Sequence, residues 1–282
     1  MVIQVFDNMK NVKKTEFSDI KSTSLLKVCV LASGSKGNAV YISNGRASIL
    51  FDAGLSGKEI QQRMLVRQLD PKSLTGIVVS HEHSDHIRGV GILSRRFNLP
   101  VYISPKTAKA ASGQIGKLYQ TSYFDCGKTF EIQGVKIRPF TTSHDAEDPA
   151  GFTISYKGQK VGLATDLGVA TGMVKEHLKR CNLLILEANH DMDMLINGPY
   201  PWYLKQRIKS RNGHLSNEDS CNLLGKVIHK NLTCVVLAHL SEQNNHPEKA
   251  LKSVKQAVVN QHHNLKFHVA SQYVSSDVIY TT

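Results

Sequence analysis

The stretch Gly76-Ile-Val-Val-Ser-His-Glu-His-Ser-Asp-His-Ile-Arg-Gly89 constrains this chain more than any other part of it. Gly76 to Ser80 has the short apolar run of a buried strand. Four side chains able to bind a divalent metal follow at once: His81, His83, Asp85 and His86. If the backbone stays extended past Ser80, the i, i+2 spacing turns His81 and His83 to one side. Asp85 and His86, once the chain turns, can face a second ion beside the first. Imidazole and carboxylate suit zinc or another mid-series divalent cation. The bland alternative is a polar loop rich in histidine, and four ligand-type residues within six positions weigh against it.

At 282 residues, with 41% hydrophobic and 21% charged side chains, the chain can bury a large core as one α/β domain or two halves. No apolar run reaches the length of a membrane span, and the first residues lack a signal-peptide core. The five cysteines (Cys29, Cys126, Cys181, Cys221, Cys234) are odd in number and form no C-x-x-C pair, as expected of reduced thiols in a cytoplasmic protein. A formal charge of +12 suits a polyanionic partner, nucleic acid being the usual one. A generally basic protein without such a partner is the alternative, and charge alone names no reaction.

Residues 1–27 are polar and weakly periodic, an extension before a domain spanning 28–282. Strands are expected at Val28–Ala32, Ala39–Ser43 and Ala47–Asp52, then a helix at Ser56–Gln68. Between the first two strands, Ser33-Gly-Ser-Lys-Gly-Asn38 fits either backbone amides cradling an anion or a tight hairpin turn. Further strands are expected at Lys128–Ile132, Val135–Thr142, Phe152–Tyr156, Lys160–Thr165, Leu183–Glu187, Val235–His239 and Leu265–Ala270, the last clear one. Helices at Gly89–Phe97, Pro105–Ala111, Val169–Arg180, Tyr200–Arg211 and Pro247–Val259 alternate with them, and Ser216-Asn-Glu-Asp219 has the form of a capping box opening another. Two similar β-plus-α halves of this kind predict an α/β fold, a four-layer αββα sandwich.

Beyond the opening motif, His144, Asp166 and His239 each follow an expected strand, in that order along the chain. The His-x-His-x-Asp-His string with these three resembles the ligand set of the metallo-β-lactamase-fold hydrolases. The resemblance implies that His81, His83 and His144 hold one metal, Asp85, His86 and His239 the other, and that Asp166 bridges them. Two cations about 3.5–4 Å apart would activate a water and stabilise charge on a phosphoryl oxygen. Zinc suits the histidine-rich set; manganese is the alternative.

Leu184-Ile-Leu-Glu-Ala-Asn-His-Asp191 and the segment Asn197 to Asn217 closely resemble the YycJ (WalJ)-type nucleases of this fold, as do Ser33-Gly-Ser-x-Gly-Asn38, Phe51-Asp-Ala-Gly54 and Leu237-Ala-His-Leu-Ser-Glu242. That resemblance runs from about Val28 onward and implies a 5′-to-3′ exonuclease on DNA, with a role in repair. Glu187-Ala and Gly213-His-x-Ser216 also resemble the tRNA 3′-end endonucleases. Carried over, His214 contacts the phosphate and protonates the departing oxygen while Glu187 orients its ring and Asp85 serves the metal centre; the competing view of His214 is a helix-entry residue satisfied by backbone. On the helix before it, Tyr203, Arg207 and Arg211 lie at i, i+4, i+8, beside Lys205 and Lys209. They form either a nucleic-acid contact or a solvated basic face. Trp202, Leu204 and Ile208 are expected in the core. Ser35 and Asn38 are candidate substrate contacts, as is His190, for which an orienting role is equally open. The other function considered is a small-molecule phosphodiester or thioester hydrolase of the same fold, and a third is a nucleic-acid-binding module with a structural metal.

Overall fold

Along the first strands Val28, Val30, Val40, Ile42, Ile49 and Phe51 alternate with Cys29, Leu31, Tyr41 and Leu50, and both sets are buried. Side chains alternate across a strand, so a sheet buried on both faces must be covered on both. In the computed structural model, which describes residues 25–259 and 264–282, two seven-stranded sheets meet that demand by packing on each other and carrying helices outside. The expected αββα sandwich is the fold observed.

The first sheet contains β1 (Lys27–Ala32), β2 (Ala39–Ser43), β3 (Ser48–Phe51), β4 (Gly76–Val78), β5 (Pro100–Ile103) and β6 (Gln120–Tyr123) in sequential order, with β14 (Ile279–Tyr280) on the outer side of β1. The second runs β7 (Phe130–Ile132), β8 (Val135–Thr141), β9 (Ala150–Tyr156), β10 (Gln159–Ala164), β11 (Leu183–Glu187), β12 (Cys234–Ala238) and β13 (Lys266–Val269). From β14 and from β7 alike, three antiparallel pairings are followed by three parallel ones. The halves therefore repeat one topology.

The inner faces form one cluster, in which the Phe51 and Phe152 rings from opposite sheets lie 5.4 Å apart. Helices α1 (Gly57–Val66), α3 (Val90–Phe97) and α4 (Pro105–Ile115) cover the outer face of the first sheet through Ile60, Met64, Val90, Leu93 and Ala111. Helices α5 (Gly172–Leu178), α8 (Asn217–Val227) and α9 (Pro247–Lys255) do the same for the second through Val174, Leu178, Leu223, Leu224 and Val254. The remaining helices are short: α2 (Ser84–Ile87), α6 (Met192–Asn197) and α7 (Trp202–Ile208).

Several boundaries differ from expectation for local reasons. A full capping box opens α1, where Ser56 and Glu59 exchange bonds, while at α8 the Ser216 hydroxyl caps the Asp219 amide and the Asp219 carboxylate returns to that hydroxyl. The basic helix spans seven residues, not twelve: Pro201 sits at its N-cap, and a turn closed by Ser210 and Gly213 ends it. Trp202, expected in the core, is 68% exposed, while Ile208 is buried and Leu204 half-buried. Lys266–Val269 is not the last strand, since β14 follows. The extension expected over residues 1–27 falls outside the described residues as far as residue 24, and β1 opens at Lys27.

The two-residue β14 borders the first sheet, with Thr281 wholly buried and exchanging hydrogen bonds with Leu26 at 3.0 Å in each direction. Truncation after Val278 removes both. At about 1 kcal/mol net per buried hydrogen bond, we expect it to lower stability by about 2 kcal/mol, seen as a smaller urea midpoint at unchanged slope. An unaltered midpoint would show that the edge strand supports nothing.

Candidate active site

The parallel strands of both sheets end at one edge, and the polar groups gather there, as they do in open α/β sheets generally. His81 follows β4, His83 caps the one-turn α2, and Asp85 and His86 lie on that turn. His144 comes from the loop after β8, Asp166 follows β10, Glu187 closes β11 and His239 follows β12. Three acidic or imidazole residues at strand ends, Asp52, Asp166 and His239, take left-handed backbone angles of φ 58, 55 and 56°. Each costs a non-glycine residue about 1–2 kcal/mol, and the strain turns these side chains into the site.

The loop carrying the first four candidates is clamped from two sides. The Asn38 amide donates to the Asp85 carbonyl at 2.7 Å, Ala53 to His86 at 2.7 Å, and Gly54 to Asn38 at 2.8 Å. A Cβ on Gly54 would sit 1.6 Å from the Asp85 carbonyl oxygen, so only glycine lets the segments approach. The Ser33–Asn38 loop proves to be the hairpin turn. Its amides at Ser33, Gly34, Lys36, Gly37 and Asn38 donate to Ser271, Asn38 Oδ1, Gln272 Oε1, Gly34 and Asp85. Those donors are therefore committed and form no anion cradle.

His81, His83 and His144 present ligand atoms within 4.8 Å of one another, and so do Asp85, His86 and His239. His83 Nδ1 lies 3.3 Å from His144 Nε2, and His86 Nε2 lies 3.5 Å from Asp85 Oδ2. Two ligand atoms bound to one tetrahedral zinc are separated by about 3.3 Å. Asp166 lies between the groups, with Oδ2 3.3 Å from His86 Nε2 and Oδ1 3.8 Å from His144 Nε2.

Asp52, which sequence reasoning did not single out although it stands in the Phe51–Gly54 motif, holds this arrangement in place. Its Oδ2 accepts from His86 Nδ1 at 2.8 Å, and its two oxygens accept from the Ser80 amide and hydroxyl. Glu187, fully buried, does the same on the other side. Its Oε1 accepts from His214 Nδ1 and His239 Nδ1, both at 2.8 Å, and its Oε2 from the amides of Leu167 and Leu215. Sequence reasoning assigned it to His214 alone.

His214 opens onto a cleft of about 250 Å³ lined also by Ser35, His83, Asp85, His144, Asp166, Arg207 and His239. Arg207 leans on Asp145, another residue not foreseen, through a 2.6 Å bond. The other candidate substrate contacts lie elsewhere. Asn38 is buried, with Nδ2 3.1 Å from His86 Nε2 and 3.2 Å from Asp85 Oδ2, so it braces ligand candidates. His190 is buried away from the cleft, where desolvation lowers its ring to about 4. Tyr203 is exposed on α7, and Arg211 lies past the helix end in a neighbouring pocket. Lys205 is spent on the carbonyls of Ile196 and Gly198.

The description "Beta-lactamase superfamily domain" matches residues 47–239. Exodeoxyribonuclease YycJ of Bacillus anthracis is 39% identical over 235 residues, 83% of this chain and 89% of that protein. Exodeoxyribonuclease WalJ of Streptococcus pneumoniae is 38% identical over 228 residues, 79% of this chain and 85% of that one. Among solved structures, the metallo-β-lactamase-fold protein YhfI of Bacillus subtilis superposes with a TM-score of 0.70 at 17% identity, covering 90% of this chain and 99% of its own. The chain belongs to the metallo-β-lactamase superfamily, on its YycJ/WalJ branch.

Members of this family are metal-dependent hydrolases, and the His/Asp clusters here suit divalent ions. His81 Nε2, His239 Nε2 and Asp166 Oδ2 are buried without a hydrogen-bond partner, although the other ring nitrogens of the two histidines are held by Ser80 and Glu187. Orphaned buried polar atoms cost about 1–3 kcal/mol each, a penalty that cations would remove. Charge argues the same way. Burial opposes a proton on His86, but Asp166, Asp52 and Asp85 outweigh it and raise the ring to about 9. Burial opposes one on His239 too, and Asp166, Asp85 and Glu187 raise it well above the usual value. Burial and the rings of His86, His144 and His83 push His81 far down, leaving it a neutral ligand. The acids thus attract positive charge, which protons supply when cations do not.

Asp52→Asn preserves shape but removes the charge that fixes His86. We expect metal affinity to fall about 10–100-fold, measured by competition with a chromophoric chelator, while the melting curve of the metal-free protein keeps its cooperativity. Equal affinity in the two proteins would deny Asp52 any orienting role.

Proposed function

We propose that this chain is a two-metal phosphodiesterase cleaving nucleic acid, specifically a 5′-to-3′ DNA exonuclease with a role in repair. Its curated relatives over most of the chain are named exodeoxyribonucleases. The observation that carries the reading is the Glu187–His214 pair, which opens onto the cleft beside both ligand clusters. His81, His83 and His144 would hold one ion and Asp85, His86 and His239 the other, with Asp166 available to both. Zinc suits this histidine-rich set, and manganese is the alternative. Bound ions supply charge neutralisation at the phosphoryl group and lower the pKa of a water nucleophile.

The chain's own residues do the rest. Glu187 accepts from His214 Nδ1, so the ring presents Nε2 to the cleft. Burial would raise the Glu187 carboxyl, but the His214 and His239 rings hold it well below the carboxylate range, so it stays charged. With Nδ1 anchored on Glu187, His214 Nε2 is the atom from which a proton passes to the departing oxygen. Arg207, on the cleft wall, exchanges part of its hold on Asp145 for a phosphate oxygen, as arginine readily does.

A small-molecule phosphodiester or thioester hydrolase is the other reading, and cleft size weighs against it. Sites that enclose a small ligand usually measure about 300–1,000 Å³. At about 250 Å³ this cleft holds little beyond the reacting phosphate and its surroundings, so the substrate must be gripped outside it. The net charge of +12 suits a polyanion in that role. Five free cysteines are in keeping with a cytoplasmic setting, and among the described residues no helix is long and apolar enough to cross a membrane.

The test uses single- and double-stranded DNA and RNA, labelled at either end, with defined metals. We expect DNA to be consumed from its 5′ end and chelation to stop cleavage. Asp166→Ala should abolish turnover, and His214→Ala should reduce it about 10²–10⁴-fold at unchanged metal content. Full turnover by metal-stripped protein would falsify the mechanism. Faster turnover of free small esters than of any polymer would transfer the site to the second reading.

A further inference from the structure

Behind the turn that carries His214 lies a second recess, of about 370 Å³, which the chemistry above does not use. Cations from three separate elements converge on it: Lys175 on α5, Lys226 on α8, and Lys209 with Arg211 on the turn after α7. Asp219 is the one acid in its lining, and its carboxylate already accepts from the Ser216 hydroxyl. Lys209 rests over the Trp202 ring at 5.2 Å. No ion pair engages Lys175, Arg211 or Lys226 among the described residues. Like charges gathered around one carboxylate repel one another, and an anion between them removes that cost.

The recess is held in fixed relation to the cleft. Residues 207–214 form the wall between the two, with Arg207 and His214 facing the cleft and Lys209 and Arg211 facing the recess. The wall is stiff. The His214 amide donates to the Ile208 carbonyl at 2.9 Å, and Gly168 donates to Ser143, the residue before His144, at 2.8 Å. A Cβ on Gly168 would sit 2.3 Å from the Arg211 carbonyl oxygen, so the turn is seated directly on the loop that follows Asp166.

We propose that this recess is a second phosphate subsite, which takes a phosphate of the nucleic-acid strand on the far side of the His214 turn from the scissile one. It rests on the phosphodiesterase reading for its substrate, and it assigns Lys175, Lys226 and Arg211 as the groups that grip that phosphate. The wall then places the scissile bond, because a strand fixed at the recess can reach the cleft only by crossing the turn beside His214. The anion is either an internal diester or a terminal monoester, which carries close to two charges.

The test is binding without cleavage. Short fluorescent DNA strands ending in a 5′-phosphate or a 5′-hydroxyl are titrated with the full chain in excess chelator, over a range of salt. The Lys175→Glu/Lys226→Glu protein should bind at least tenfold more weakly, with the slope of log affinity against log salt shallower by about 2. The Lys175→Arg/Lys226→Arg protein should retain both affinity and slope. Loss confined to the 5′-phosphorylated strand assigns a terminal monoester, and equal loss on both strands an internal diester. Unchanged affinity and slope in the glutamate protein overturns the subsite, as does a wild-type chain that binds neither strand. A chain that binds as expected but cleaves nothing with any metal instead overturns the phosphodiesterase reading and leaves the phosphate site standing.

Discussion

One buried carboxylate ties the second half of the site together. Glu187 has no exposed surface, yet it accepts from His214, His239, the amides of Leu167 and Leu215 and, at 3.3 Å, the amide of Asp166. An unpaired carboxylate at this depth would cost several kcal/mol, so the fold can keep the charge only by bringing those donors to it. Satisfying Glu187 therefore fixes the ends of β10 and β12 and the turn before α8 relative to β11. The positions of Asp166, His239 and His214 follow from that single requirement.

The first half solves the corresponding problem with Asp52. In the repeated topology β3 and β10 occupy the same place in their sheets, and each is followed by an aspartate in a left-handed conformation, Asp52 in one and Asp166 in the other. The two carboxylates have diverged in use. Asp52 is saturated by Ser80 and His86 and works as a brace, whereas Asp166 keeps a buried oxygen without a partner facing the histidines. Symmetry in the backbone thus supplies two equivalent strained corners, and hydrogen bonding decides which acid is left available for a cation.

Those corners explain what was legible in the sequence. Ligand-type residues in strict spacing are a local signal, and they locate His81, His83, Asp85 and His86; His144, Asp166 and His239 are singled out as ligands by the resemblance to the metallo-β-lactamase fold, and the structure brings all seven together. Apolar alternation likewise disclosed the two β-rich halves. What stayed hidden depends on contacts between distant segments. Three of the Ser33–Asn38 amides, those of Ser33, Lys36 and Asn38, are consumed by Ser271, Gln272 and Asp85, partners roughly 50 to 240 positions away, which a local pattern does not show. The stripe Tyr203, Arg207 and Arg211 assumed a longer helix than the Pro201 start and the Ser210–Gly213 turn permit. The two-residue β14 is recognisable only by what it pairs with.

The shortened helix bears on function as well as on prediction. Had it continued to Arg211, its cations would have formed one face directed at one groove. Ending at Ile208, it divides them, Arg207 toward the cleft and Lys209 and Arg211 toward the recess behind it. On the proposed phosphodiesterase reading both groups would meet phosphate, and recognition through phosphate contacts follows the backbone and carries no sequence information. That division also makes grip and chemistry structurally dependent, since the turn joining them is stitched to His144 through Ser143 and Gly168 and to Glu187 through Leu215. If the recess takes a phosphate as proposed, a strand held on one side of the turn would bear on the residues that position His214 on the other.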